Sequence, residues 1–291
     1  MGKQLFTGAC TALVTPFEHG KVNFTMLEKL LARQMNAGIR AVVICGTTGE
    51  SPTLSDTEKL ELFRRAKEYT GDDCLILAGT GSNCTEHAVA LSQAAEQTGV
   101  DGLLVVTPYY NKATPSGLIA HYSAIAGAVQ VPIILYNVPG RTGVDIPLSV
   151  YQQLCRIPKI AGVKEASTDI TKIAKIRATC PKEFTVWSGN DDQAVAVMSL
   201  GGQGVISVLS NVEPVKTQAM AQAALDGDFD TAAALQTELL PLIELLFCEV
   251  NPIPVKAAMK LIGYDCGECR LPLTPMTEEN HKKLMALLTR Q

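Results

Sequence analysis

Eight short apolar runs punctuate the chain: Ala9–Pro16, Arg40–Gly46, Cys74–Thr80, Gly102–Pro108, Pro132–Asn137, Ile160–Lys164, Phe184–Ser188 and Gly204–Leu209. They are almost continuously apolar and do not alternate with polar residues. An alternating strand has one wet face. A strand that is apolar throughout is covered on both faces, as in a parallel sheet. The intervening segments carry helical signals. Ser55–Glu58 and Thr25–Glu28 have the spacing of capping boxes. Gly38, Gly71 and Gly99 fall where helices should end, because glycine accepts the left-handed turn that closes them. The runs begin roughly 20 to 34 residues apart, the size of a strand–helix unit.

Eight such units predict an α/β fold, a closed (β/α)8 TIM barrel. A doubly wound open sheet has the same alternation, but its glycine-rich G-x-G-x-x-G turn does not follow the first strand. The nearest approach, Gly79-Thr80-Gly81, has Cys84 where the third glycine belongs, and Gly201–Gly204 reads as a tight turn into the last strand. After Asn211 the runs stop. Glu213–Leu225, Phe229–Phe247, Ile253–Ile262 and Thr277–Thr289 read as helices. The first closes the barrel and the other three form an all-helical extension. The expected division is therefore a barrel over 1–225 that carries the active site, and a helical domain over 226–291.

Composition narrows the function. The chain has 291 residues, 19% of them charged, with a net charge of −4. No Lys/Arg-rich run offers a nucleic-acid or membrane footprint. The N-terminus lacks a secretory pattern. Met1-Gly2 begins like a myristoylation signal, but Phe6 stands where Ser or Thr is required. Nine cysteines scattered through apolar segments suit buried thiols in a reducing cytoplasm. Cys266 and Cys269 form a lone CxxC, and His19, His87, His121 and His281 do not complete a metal set. No metal site is expected.

In a barrel of this type the chemistry lies at the carboxyl ends of the strands. Those ends read GTTGES (Gly46–Ser51), TPYYN (Thr107–Asn111), YNVPGRTG (Tyr136–Gly143), VKEAS (Val163–Ser167) and SGND (Ser188–Asp191). The rim offers a lysine, tyrosines, threonines and an arginine, but no histidine and few carboxylates. A glycosidase needs two facing acids. Glu50, Glu165 and Asp191 are present, yet Glu165 follows Lys164 directly and should point the other way along the strand. Amine chemistry fits better. Burial strips the water that favours an ammonium, and a free amine can attack a ketone to form a Schiff base. Tyrosine alone is a poor base near neutrality, but a chain of Tyr and Thr hydroxyls can pass a proton. Loop amides around Thr47 and Thr48 suit a carboxylate, and Arg141 suits a second one. Position alone leaves other roles open. Lys164 could pair with an acid, Tyr110 and Tyr136 could pack, GTTGES could be an ordinary turn, and Arg141 could sit in a surface salt bridge.

The motifs GTTGE, TPYYN, YNVPGRTG, GVKEA and NPIPVK, in this order and spacing, resemble the dihydrodipicolinate synthase (4-hydroxy-tetrahydrodipicolinate synthase) family. That family is one of the pyruvate-dependent barrel aldolases, with N-acetylneuraminate lyase, and the resemblance spans essentially the whole chain. It implies that Lys164 captures pyruvate as an imine, with no other cofactor. It implies that Tyr136 transfers protons and that Thr48 links Tyr136 to Tyr110, the latter reaching the site from an adjacent subunit. Thr47 and Thr48 would bind the pyruvate carboxylate, and Arg141 that of L-aspartate 4-semialdehyde. Gly189 and Ile206 would line the lysine pocket. The implied reaction is the entry step of lysine and diaminopimelate synthesis. The implied assembly is a homotetramer, a dimer of dimers.

Thr47 and Arg141 favour the synthase over an N-acetylneuraminate lyase or a keto-deoxy sugar acid aldolase, since the lyases carry GSTGE at the first motif. A barrel that only binds a keto acid is disfavoured by the intact lysine, tyrosines and Thr48. One region departs from the family pattern. Lysine-inhibited members use two histidines, an Asn, a Glu and the first tyrosine of YY. Here Asn83 and Tyr109 are kept, Asp56 and Lys59 replace the histidines, and His87 replaces the Glu. With Ser51 nearby, these residues outline a vestigial effector site, and L-lysine is expected to inhibit weakly or not at all.

Overall fold

The computed structural model describes residues 5–289. Its eight parallel strands are β1 (Gly8–Ala12), β2 (Ala41–Ile44), β3 (Leu75–Gly79), β4 (Gly102–Val106), β5 (Ile133–Asn137), β6 (Ile160–Glu165), β7 (Thr185–Ser188) and β8 (Gly204–Ser207). Each pairs with the next, and β1 pairs with both β2 (Thr11 opposite Val42) and β8 (Ala9 opposite Val205), so the sheet closes. The expected TIM barrel is the observed fold. The helices between strands are α1 (Phe24–Asn36), α2 (Asp56–Thr70), α3 (Thr85–Glu96), α4 (Pro115–Ala128), α5 (Leu148–Leu154), α6 (Ile170–Thr179) and α7 (Ala194–Ser199).

Continuous apolarity in the strands is explained by two cores. One fills the barrel and includes Cys10, Val43, Leu77, Leu104, Ile134, Trp187 and Ile206. Phe6 stacks on Trp187 with ring centroids 4.8 Å apart, adding a second large ring to this inner core. The other core lies between strands and helices, where residues such as Val42, Ile76, Leu103, Ile133 and Val163 face outward. Successive strand residues thus enter different cores, and neither face meets water.

One helix-start signal acts where the sequence places it and another is displaced. Ser55 and Glu58 form the expected capping box on α2. Thr25 does not cap α1: Asn23 does, its side-chain oxygen accepting from the Met26 N–H at 2.9 Å. Asparagine is at least as good a cap as threonine, so the helix begins two residues earlier than the Thr25–Glu28 pattern suggests. A short hairpin, Phe17–Glu18 with Lys21–Val22, follows β1 in addition to the predicted elements.

Four helices follow β8: α8 (Pro214–Leu225), α9 (Phe229–Leu246), α10 (Ile253–Leu261) and α11 (Glu278–Leu288). Leu239, Leu242, Ile243, Leu246, Met259 and Leu284 from the last three belong to the same buried cluster as the outward barrel residues. The chain then returns across the barrel mouth, where the Phe17 N–H donates to the Cys266 carbonyl at 2.9 Å. No helix among the described residues is long and apolar enough to cross a membrane.

Candidate active site

Tyr136 on β5 and Lys164 on β6 are direct register partners. Tyr136 belongs to the inner core with Trp187 and Ile206. The Lys164 Nζ lies 4.4 Å from the centroid of the Tyr136 ring, a cation–π distance, and the lysine is only 5% exposed. The following residues, Asn137 and Glu165, point the opposite way, as strand alternation requires. There the Asn137 Nδ2 donates to Glu165 Oε1 at 2.7 Å. The Tyr151 hydroxyl donates to Glu165 Oε2 at 2.8 Å, and the Ser167 N–H to Oε1 at 2.9 Å. Burial, reinforced by the Glu165 carboxylate, pushes the Tyr151 phenol far above its ordinary range, so it remains a donor. This outer network ties β5 to β6 directly behind the Lys164–Tyr136 pair. It also disposes of Glu165 as a facing acid, as the sequence predicts.

The loop after β2 is held by its own backbone. Cys45 and Glu50 both have φ of +57°, a left-handed conformation at each end of the turn. The Gly46 carbonyl accepts from Gly49, and the Glu50 N–H donates to the Thr47 carbonyl. The Thr15 hydroxyl donates to the Gly49 carbonyl at 2.7 Å. Strand β3 passes so close that a Cβ on Gly79 would sit 2.2 Å from the Cys45 carbonyl oxygen. Only glycine allows that approach.

Within this loop Thr48 and Glu50 are buried. The Asn251 Nδ2 donates to Thr48 Oγ1 at 3.0 Å. Glu50 accepts from Lys256 Nζ at 2.6 Å and from the Arg270 N–H at 2.8 Å. Lys256 also stands over the Phe17 ring at 4.3 Å. Both members of the Glu50–Lys256 pair are almost fully buried. Glu50 is therefore a bonded structural acid and not a free one. Asp191 is likewise committed: one carboxylate oxygen accepts from the Val208 and Leu209 N–H groups, while burial raises its pKa.

Thr47, Tyr136 and Arg141 line a cavity of about 670 Å³. Arg141 sits on a helical turn, Pro139–Thr142, and its Nη2 donates to the Asn251 carbonyl at 3.4 Å. Ile206 is fully buried in the barrel interior. Gly189 is pressed against Ala166, where an added Cβ would meet the alanine Cβ at 2.6 Å. Lys164, Tyr136, Thr48, Thr47 and Arg141 thus gather at one end of the barrel. Tyr110 does not join them in a single chain. It is 85% exposed, with φ of +73°.

The same cavity extends to Ser51, Asp56, Lys59, His87 and Tyr109, whereas Asn83 is exposed and lies outside its lining. The replacements bond to one another. His87 Nε2 donates to Asp56 Oδ2 at 2.7 Å, and Lys59 Nζ to Asp56 Oδ1 at 3.4 Å. The His87 bond holds the Asp56 carboxyl below its usual range. Among the nine free thiols, Cys266 is buried and Cys269 half-buried, both pushed up to about 12 by desolvation.

The sequence alone assigns no role to Asn251 or to a Glu50–Lys256 pair. NPIPVK stands out in the sequence only as a family motif. Its signal was a lysine inside an apolar helical stretch, the same anomaly that singled out Lys164.

These features define a (β/α)8 barrel of the enzyme type, with its polar groups collected where the strands end. The chain belongs to the dihydrodipicolinate synthetase family, whose model matches residues 5–291. It is 47% identical over 288 residues to the 4-hydroxy-tetrahydrodipicolinate synthase of Acetivibrio thermocellus, covering 99% of this chain and 98% of that one. It is 49% identical to the enzyme of that name from Lachnoclostridium phytofermentans, covering 97% and 96%. Among solved structures, the dihydrodipicolinate synthase of Cyanidioschyzon merolae with lysine bound superposes with a TM-score of 0.96 at 39% identity, covering 99% and 98%.

Proposed function

We propose that this barrel condenses pyruvate with L-aspartate 4-semialdehyde to give 4-hydroxy-tetrahydrodipicolinate, the product in the relatives' names. The observation that carries the reading is the buried Lys164 amine facing the Tyr136 ring across adjacent strands. The amine attacks the pyruvate carbonyl, and loss of water leaves an iminium. The iminium draws electrons from the neighbouring methyl carbon, so a proton leaves and an enamine forms. Tyr136 carries that proton, with Thr48 and Tyr110 as its relay. The enamine carbon attacks the aldehyde, whose oxygen takes up a proton. The substrate's own amine then displaces Lys164 from the iminium carbon and closes the ring. One water is released overall. The imine is itself the electron sink, so no step calls for a further cofactor.

Thr47 and Thr48 hold the pyruvate carboxylate, and Arg141 that of the aldehyde. Gly189 and Ile206 wall the lysine pocket. Tyr110, exposed in one chain, completes the relay of a neighbouring subunit in a homotetramer. The abundance of buried thiols is consistent with a reducing cytoplasm. In the departed effector region the Asp56 carboxylate is already engaged by His87 and Lys59, and no Glu stands at position 87. An effector ammonium has lost its partner there, so L-lysine inhibits weakly or not at all.

Coupled assays with pyruvate plus L-aspartate 4-semialdehyde, and with N-acetylneuraminate, test the reading. Turnover with the first pair alone is expected. Turnover of N-acetylneuraminate alone would replace it with the lyase.

A further inference from the structure

We propose that Cys155 and Cys180 form a covalent modification site, a pair of neighbouring thiols that a low-molecular-weight disulfide of the oxidised glutathione class closes into a reversible intramolecular staple. Each cysteine ends a helix: Cys155 caps α5 and Cys180 caps α6. One carbonyl gathers them. The Tyr151 oxygen accepts from the Cys155 N–H at 2.9 Å and from the Cys180 thiol at 3.8 Å. The Cys180 thiol also touches that of Cys155, which otherwise donates to the Gln152 carbonyl at 3.6 Å. A disulfide needs its sulfurs at about 2.05 Å and its Cβ atoms within about 4.5 Å. Sulfurs already in contact reach that geometry by side-chain rotation, with both helices in place. The bond also leaves no buried acceptor orphaned, because the Tyr151 carbonyl keeps the Cys155 N–H.

Exposure sets the order of events. Cys155 is half-buried and Cys180 buried, so the outer sulfur meets the oxidant. The Cys155 thiolate attacks one sulfur of oxidised glutathione, forms a mixed disulfide and expels a glutathione thiolate, which takes up the proton that Cys155 lost. The Cys180 sulfur then attacks the Cys155 sulfur and expels the second glutathione, which takes up the Cys180 proton. Two protein thiols are oxidised, one small disulfide is reduced to two thiols, and no net proton is released. Desolvation, then the neighbouring Cys155 thiol, pushes Cys180 up to about 12. The second of these causes lapses once Cys155 is capped, which favours the closing step. The staple joins two helices that meet behind the active site. From α5 the Tyr151 hydroxyl donates to Glu165 Oε2 at 2.8 Å, and from α6 the Lys172 Nζ stands 4.0 Å from the same oxygen. Closing a loop of roughly 25 residues restricts the unfolded chain, so the oxidised form is the more stable one.

The test incubates the folded, full-length wild type, Cys155→Ser and Cys180→Ser with oxidised glutathione. The samples are quenched in acid, unfolded in N-ethylmaleimide and mapped by mass spectrometry without reduction. Thermal unfolding is followed on the same samples before and after dithiothreitol. In the wild type the peptides containing Cys155 and Cys180 should appear linked, lighter by two hydrogens than their sum, and should separate on reduction. The apparent Tm of the oxidised wild type should rise by about 3–10 °C and return to its starting value with dithiothreitol. Cys180→Ser should stop with one glutathione on Cys155, because the resolving sulfur is gone. Cys155→Ser should show neither the link nor the rise in Tm. A wild-type Cys155 that stays unmodified, or that keeps its glutathione without going on to the link, overturns the proposal. So does a link from either residue to a third cysteine. A linked protein whose Tm falls, or moves by less than about 1 °C, overturns the stapling role.

Discussion

Lys164 and Tyr136 lie directly opposite each other on adjacent parallel strands, with the lysine nitrogen 4.4 Å from the centre of the tyrosine ring. The ring supplies a wall and a cation–π face, and in the proposed reaction its hydroxyl supplies the proton path. Removing only the hydroxyl separates these roles. Tyr136→Phe should retain the imine with pyruvate, as judged by borohydride trapping. Its kcat should fall by about 10²- to 10⁴-fold, the usual contribution of a positioned proton-transfer group. Undiminished turnover would show that the proton travels by another route.

The Glu50–Lys256 pair is a stability determinant remote from any solvent screening. Removing one partner strands the other charge in the interior, which costs about 3–5 kcal/mol. Lys256→Met should therefore lower the unfolding free energy by about that amount in denaturant titration. The double variant with Glu50→Gln should be destabilised less than Lys256→Met alone, because no charge is left behind. If the two substitutions simply add, the pair is not energetically coupled.

Glu58 provides a pH signature. Hydrogen bonds from Arg270, then the capping bonds at Ser55, lower its pKa from 4.5 to about 2. A carboxyl depressed in the folded state contributes stability above its unfolded pKa and loses it as the pH falls through the folded value. The window is therefore from 4.5 down to about 2. The pair is partly exposed, so solvent screening limits the effect to about 1 kcal/mol. Glu58→Gln should lower stability at neutral pH and flatten the acid limb in that window. An unchanged acid limb would mean that Arg270 does not hold this carboxyl in solution.

The departed effector region yields a prediction about regulation. Titrating L-lysine into the condensation assay should leave activity nearly unchanged below millimolar concentrations. Inhibition in the low-millimolar range or tighter would show that Asp56, Lys59 and His87 rearrange to bind it. Introducing Glu by His87→Glu should strengthen whatever inhibition exists, by restoring a carboxylate to a cavity that already holds Tyr109.

The barrel was legible because its strands are covered on both faces, and only a parallel sheet asks for that eight times. Lys164 was legible for the opposite reason: an ammonium at the end of a buried strand is anomalous. Glu165 was correctly placed facing away because alternation is a property of the backbone. What escaped was long-range. Asn251 lies 203 residues from Thr48 in sequence, and Lys256 lies 206 from Glu50. No periodicity links such pairs; they meet only because the helical segment folds back over the barrel mouth. Asn23 escaped for a local reason, since two good capping residues lie two positions apart and pattern alone does not choose between them. Tyr110 could be named by resemblance, but a single chain leaves it in solvent.

The central claim is that Lys164 is the amine that captures pyruvate. Its direct test is reduction of the enzyme with borohydride in the presence of pyruvate, followed by peptide mass mapping. The predicted result is one reduced pyruvyl group per chain on the peptide containing Lys164, absent from a folded and inactive Lys164→Ala variant. An adduct on another lysine, no adduct at all, or near-normal turnover by Lys164→Ala would contradict the account.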